Sequence, residues 1–197
     1  MLWVEWVLSP VYPVKSSAKA LVFLGCAAAY VLASGDRTIL RSFGRPEQGA
    51  MRLPLLLGGY TLLSPWLDLS AISGNLQAKE GFTAATFPLA ALYITFGNSL
   101  LEELFFRGFA FLALYRSGYK KLAWTFSAIA FALYHVSIMD GWFHPALLVL
   151  LTSGLACAGL LFNALDAKSQ TIWPGWLVHM GANLAINTIA LHLWGII

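Results

Sequence analysis

Charge is scarce in this chain. Of 197 residues, 11% are Asp, Glu, Lys or Arg and 59% are hydrophobic, whereas a soluble domain carries roughly 25% charged residues. The shortage runs along most of the length, with a mean hydropathy of +0.72. That argues against a water-facing globule with a single anchor and indicates a multi-pass integral membrane protein. Cysteine is almost missing as well. Cys26 and Cys157 both lie in apolar runs, so neither a disulfide framework nor a thiolate metal site is indicated; both are expected to be small, buried packing residues. No basic–aromatic pattern suggests nucleic acid as a partner. The start, Met-Leu-Trp-Val-Glu-Trp-Val, has no basic residue and carries Glu5 in its apolar stretch. This argues against a cleaved signal peptide and suits an interfacial helix with Trp3 and Trp6 at headgroup level.

What is present is a series of long apolar runs. A hydrocarbon core of about 30 Å needs about 20 apolar helical residues. Spans are expected over residues 19–35, 53–70, 83–101 continuing as helix to about 115, 122–139, 145–165 and 170–194, with Pro174 kinking the last. The expected fold is an all-α transmembrane helix bundle of about six crossings plus the interfacial N-terminal segment. It reads as one integral membrane domain over 1–197 with a catalytic helical core at 83–194. Strands are not expected, because the runs are long and do not alternate. Arg37, Arg41, Arg45 and Arg52 in one connection, and Arg116, Lys120 and Lys121 in another, mark cytoplasmic loops; the connection at 166–169 joins them by parity. Lys15 and Lys19 do not fit the outside placement that parity gives the N-terminus. A prokaryotic source would put the protein in the cell membrane.

One run carries a costly exception. No charge occurs from Gly81 to Leu101, and then Glu102 and Glu103 appear together, followed by Arg107. A charged side chain at the middle of a membrane helix costs roughly 2.5–3.5 kcal/mol on insertion scales. Glu103 and Arg107 are spaced i, i+4 with the acid first, the better orientation for a helical ion pair. Glu102 is turned about 100° away and shares its face with Asn98. The expectation is therefore a Glu103–Arg107 pair that leaves Glu102 free toward a cavity.

Other costly residues fall at the same depth. At 1.5 Å of rise per residue, Glu102 lies roughly 21 Å from Arg116 and His135 roughly 21 Å from Lys121, while His179 and Asn183 lie about 17 and 22 Å beyond Lys168. His179 and Asn183 are one turn apart on a shared face, and Asn187 extends it. No His-Glu-x-x-His zinc motif occurs, no Gly-x-Ser-x-Gly elbow occurs, and Asp36, Asp68, Asp140 and Asp166 fall near span ends. What remains is a carboxylate with two imidazoles and an amide. A poorly hydrated glutamate can take a proton from water, and a His–Asn pair can donate hydrogen bonds to an oxyanion. Peptide hydrolysis without a metal fits those groups.

The same residues resemble the CPBP family, the glutamic-type intramembrane endopeptidases that include CAAX-processing proteases and bacteriocin-processing or immunity proteins. Its Glu-Glu-x-x-x-Arg motif is matched by Glu102-Glu103-Leu-Phe-Phe-Arg107, its Phe-x-x-x-His motif by Phe131-Ala-Leu-Tyr-His135, and its His-x-x-x-Asn motif by His179-Met-Gly-Ala-Asn183. The resemblance covers about residues 83–194. It implies that Glu102 activates water with help from His135, that His179 and Asn183 form the oxyanion site, and that Glu103 and Arg107 support the first motif. It also implies no cofactor, and a membrane-anchored protein or peptide substrate, prenylated in part of the family. Processing of a sorting or export signal fits as well. The first 80 residues match no motif.

Three other functions fit some of these residues. Glu102, Glu103, His135 and His179 are a donor set that suits zinc in a membrane hydrolase. A non-catalytic immunity or scaffold protein would keep the bundle without the chemistry. A proton-coupled transporter would use intramembrane carboxylates and histidines, but no internal repeat accompanies them. His144 and His192 are expected at the interface, Phe105, Phe106, Phe109 and Phe111 in packing or facing lipid, and Trp173, Trp176 and Trp194 in an interfacial belt.

Overall fold

A computed structural model describes residues 12–45, 81–139 and 143–197. Within them the apolar runs form five long helices: α1 (Tyr12–Ser34), α2 (Phe87–Arg116), α3 (Lys120–Met139), α4 (Pro145–Ser169) and α5 (Trp173–Leu193). A short 3₁₀ helix (Thr38–Phe43) follows α1, and no strand occurs among the described residues. The expected all-α membrane bundle is what is observed. Helices α1 to α4 are long and apolar enough to cross a membrane. Helix α5 is as long as α3, but His179, Asn183, Asn187 and His192 lower its hydropathy. The expected span at 53–70 and the interfacial segment at the N-terminus lie outside the described residues.

Prolines mark where helices begin. Pro88, Pro145 and Pro174 each stand in a first turn, where a missing N–H costs nothing and the fixed φ is already helical. Pro174 therefore opens α5 rather than kinking it. Helix α1 already includes Tyr12, seven residues before the expected start. Its buried face holds Lys15, Ser16, Lys19, Phe23 and Ala27, while Leu21 and Leu32 are 76% and 85% exposed. Polar groups face inward and aliphatic ones outward, the arrangement that hydrocarbon solvent selects. The two lysines are thus part of the bundle interior rather than of a loop, which removes their conflict with the expected topology.

The cysteines correct the sequence reading. Cys26 and Cys157 are both exposed on the bundle's outer surface. Where lipid is the solvent, an apolar side chain gains little by leaving it, so an apolar run does not imply burial.

Four helices meet at a cluster of rings. Phe23 of α1, Phe106 of α2, Phe131 of α3 and Phe162 of α4 are all buried. The Phe23–Phe106 and Phe106–Phe131 centroids are 5.5 Å apart, both edge-on, within the favourable range for such pairs. Ser127 Oγ of α3 lies 2.8 Å from the Phe106 carbonyl and 3.1 Å from Asn163 Oδ1 of α4, its one proton shared between them, so polar contacts also tie α2, α3 and α4 together. At one end of the bundle, Arg116 donates to the Thr38 carbonyl at 2.7 Å and to the Gln170 carbonyl at 2.6 Å. The three connections expected at one membrane face are gathered there.

Helices α3 and α4 approach closely at Gly159. A Cβ on that residue would lie 3.0 Å from the Ala128 Cα and 3.3 Å from its Cβ. Neither is the end of a flexible chain, so a side chain there must push the helices apart. Gly159→Val should lower stability by about 1–3 kcal/mol, the range for overpacking, read as a lower melting temperature in detergent. An unchanged melting temperature would show that the two helices separate freely.

Candidate active site

The backbone of α2 is not uniform. Residues Tyr93–Asn98 and Leu104–Ala113 are wound as π-helix, with Ser99–Glu103 as a short α-helical segment between them. Such i→i+5 turns are rare and are frequent at functional sites. Helix α5 docks against the first of them and the residues flanking it through polar side chains. Asn187 donates to the Ala91 carbonyl at 3.1 Å and to Thr95 Oγ1 at 3.0 Å. Asn183 donates to the Ile94 carbonyl at 3.1 Å, and Trp176 to the Phe96 carbonyl at 3.3 Å and Ser99 Oγ at 3.0 Å. The two glutamates thus sit just past a segment that α5 grips along its length.

Glu102 is 2% exposed and Glu103 fully buried. The two oxygens of Glu102 have different surroundings. Oε1 accepts from Lys19 Nζ at 3.1 Å, Asn98 Nδ2 at 2.8 Å and Tyr134 OH at 3.2 Å, and Lys19 also donates to Asn98 Oδ1. Oε2 faces His179 Nε2 at 3.6 Å and His135 Nε2 at 3.8 Å. Those two distances exceed a direct hydrogen bond and match a gap bridged by one further atom. Glu102 is therefore engaged on one side, not free as expected, and open only at Oε2.

Each histidine is oriented from behind. His135 Nδ1 lies 2.8 Å from the Phe131 carbonyl; a carbonyl only accepts, so Nδ1 carries the proton and a neutral ring turns the Nε2 lone pair inward. The Phe-x-x-x-His spacing is that i, i+4 bond. His179 Nδ1 lies 2.8 Å from Glu103 Oε1, which holds its ring with Nε2 toward Glu102. Glu102, His135 and His179 each offer one atom, and these lie within 4.8 Å of one another. Glu103 does not join that set, in contrast to the four-ligand expectation, because both its oxygens are turned to His179 and Arg107. The His135 side chain is 18% exposed against 2% for Glu102, so the gap is most open on its side.

Behind Glu103 lies a second buried cluster. Arg107 Nε is 3.3 Å from Glu103 Oε2, which is the expected i, i+4 pair. The guanidinium also lies over the rings of Phe131 and Phe162, at 4.0 and 4.8 Å, a placement suited to arginine. Asp166 near the end of α4 is fully buried and accepts from the Gly175 N–H at 2.9 Å. A carboxylate thereby caps the first turn of the helix that carries His179, where negative charge is favoured. A Cβ at Gly175 would meet Asp166 at 2.9 Å and Glu103 at 3.0 Å, so only glycine admits both carboxylates.

Glu102, Glu103, Arg107, His135 and His179 are thus brought together. Asn183 is on the same helix face as His179 but spends an N–H on α2. Lys19, Tyr134 and Asp166 were missed in the sequence. Tyr134 precedes His135 directly; Asp166 looked like a span-end charge, and Lys19 like a topology signal. His144 caps α4, accepting from Ala146 N at 3.3 Å, and the exposed His192 ring lies 3.2 Å from the Ile197 carbonyl; both stand apart from the cluster.

A family model described as type II CAAX prenyl endopeptidase, Rce1-like, matches residues 84–185, more than half of the chain and all of α3 and α4. No curated protein and no solved structure matches significantly.

Arg107→Leu should cost about 3–5 kcal/mol, the range for breaking a buried pair, because it strands the Glu103 and Asp166 carboxylates. The checking measurement is thermal unfolding in detergent. A variant as stable as wild type would show that the two acids need no cation.

Proposed function

Since the chain belongs to the Rce1-like type II CAAX prenyl endopeptidases, an intramembrane protease family acting on membrane-anchored proteins, we propose that it hydrolyses a peptide bond near its substrate's anchor with Glu102 as general base. The supporting observation is the single open oxygen of Glu102, which faces two imidazole nitrogens at 3.6 and 3.8 Å, leaving the space between them for the attacking water. A water in that gap gives one proton to Glu102 Oε2, hydrogen-bonds His135 Nε2 with the other, and attacks the scissile carbonyl carbon. His179, held at Nδ1 by Glu103, donates from Nε2 to the oxygen that becomes negative. Asn183 has a second amide N–H for the same oxyanion. The tetrahedral intermediate then expels the amine, which takes the proton from Glu102. Preorganised donors and a positioned base are worth orders of magnitude in such steps. Residues 83–194 are the catalytic core of this reading, and no cofactor takes part. Placement in the cell membrane follows if the source is prokaryotic.

A second reading has one observation in its favour. Glu102, His135 and His179 form a two-histidine, one-carboxylate donor set, and Glu103 and the Phe131 carbonyl back the two rings as metal-ligating histidines are usually backed. Lys19 weighs against it. Its ammonium, 3.1 Å from Glu102, already compensates the carboxylate, and a dication beside a buried ammonium is electrostatically costly.

The test compares purified wild type with Glu102→Gln in liposomes, on prenylated and unprenylated anchored peptides, with and without a chelator. Glu102→Gln should lower turnover by about 100- to 10,000-fold while the protein stays folded, and chelation should leave wild-type turnover unchanged. Activity lost on chelation and restored by zinc would replace this mechanism with the metal one. Cleavage by Glu102→Gln at the wild-type rate would sink both.

A further inference from the structure

The matched region begins at residue 84 and so leaves α1 unexplained, yet α1 reaches the centre of the site. We propose that Lys19 is a positioning residue for the reaction: it holds Glu102 by Oε1, so that Oε2 alone is the working oxygen. The inference rests on the hydrolytic reading above.

The two oxygens of a carboxylate are equivalent until their surroundings distinguish them, and the terminal torsion of glutamate is broad and roughly two-fold. Three donors remove that freedom here, with Lys19 Nζ, Asn98 Nδ2 and Tyr134 OH all on Oε1. Lys19 is the charged member. It closes a triangle, because the Asn98 amide accepts from Lys19 and donates to Glu102. Charge-assisted bonds of this kind are about twice as strong as neutral ones.

The register of α1 is fixed on both sides of the lysine. One turn earlier, Ser16 Oγ lies 2.7 Å from Tyr93 OH of α2. One turn later, the Phe23 ring stacks on Phe105 with centroids 4.2 Å apart and planes 8° from parallel. Ser16, Lys19 and Phe23 follow the i, i+3, i+7 pattern of one helix face. Lysine is almost never fully buried without partners, and Lys19 is 5% exposed. Its head points at the acid instead of reaching for the membrane surface, as a lysine with only a topological role would do.

The experiment uses the full chain in liposomes with a prenylated CAAX-type peptide. Lys19→Met should lower kcat about 10- to 100-fold, the usual loss for a residue that orients a reacting group, and leave KM within about threefold. Added ethylamine should restore turnover to Lys19→Ala in a saturable way, whereas 1-propanol should not. A kcat for Lys19→Met within about threefold of wild type, or equal rescue by 1-propanol, overturns the proposal. If Lys19→Met fails to fold, Lys19→Met/Glu102→Gln should recover the melting temperature by removing the stranded acid; no recovery overturns it equally. The two readings fail separately. An active Glu102→Gln defeats the hydrolytic mechanism, while an inactive Glu102→Gln beside a fully active Lys19→Met defeats only the role of Lys19.

Discussion

Two adjacent carboxylates in a hydrocarbon setting set the terms for the rest of this molecule. An uncompensated buried charge costs several kcal/mol, and neighbouring residues on a helix point about 100° apart, so the two acids take different cations. The bundle answers with two separate sets of groups. Glu102 is met by Lys19 from α1, Asn98 from its own helix and Tyr134 from α3. Glu103 is met by Arg107 one turn on and by His179 from α5. Helix α4 contributes Asp166, which caps α5, and Phe162, which lies against the guanidinium. Each described long helix is present at the site through a polar or ring contact to one of the two acids or to a group that holds them.

Much of this was readable from residue types and spacing. The cost of charge in an apolar run singled out Glu102, Glu103 and Arg107, and the rise per residue brought His135 and His179 to their level. The Glu103–Arg107 pair follows from i, i+4 spacing alone. Three features were not readable, each for a physical reason. Lys19 lies near the start of an apolar run, where a positive charge ordinarily signals orientation; only tertiary docking turns it inward. Asp166 sits close to a span end for the same reason. The division of labour between the oxygens of Glu102 depends on donors from three helices, and no single-helix pattern encodes that. The outward cysteines show the converse limit, since hydropathy measures affinity for an apolar setting and does not distinguish lipid from protein.

The aromatic residues separate packing from chemistry. Phe106, Phe131 and Phe162 belong to the ring cluster that joins the helices, and all three also face the guanidinium of Arg107. Phe131 does a third thing: its carbonyl fixes the tautomer of His135. A family motif that names a phenylalanine therefore describes a ring for the cation and a backbone oxygen for the imidazole at once.

The π-wound turn of α2 has a consequence for how variation in this chain should be interpreted. Asn183 and Asn187 reach carbonyl oxygens of Ile94 and Ala91, which every residue type supplies. One side of that joint is written in amide side chains and the other mostly in backbone shape, with Thr95 Oγ1 as a further acceptor for Asn187. Substitutions at 94 that keep the wide turn should be silent, whereas deleting a single residue from Tyr93–Asn98 would tighten the coil and rotate Glu102 out of register with both imidazoles. Length, rather than identity, is what that stretch has to keep.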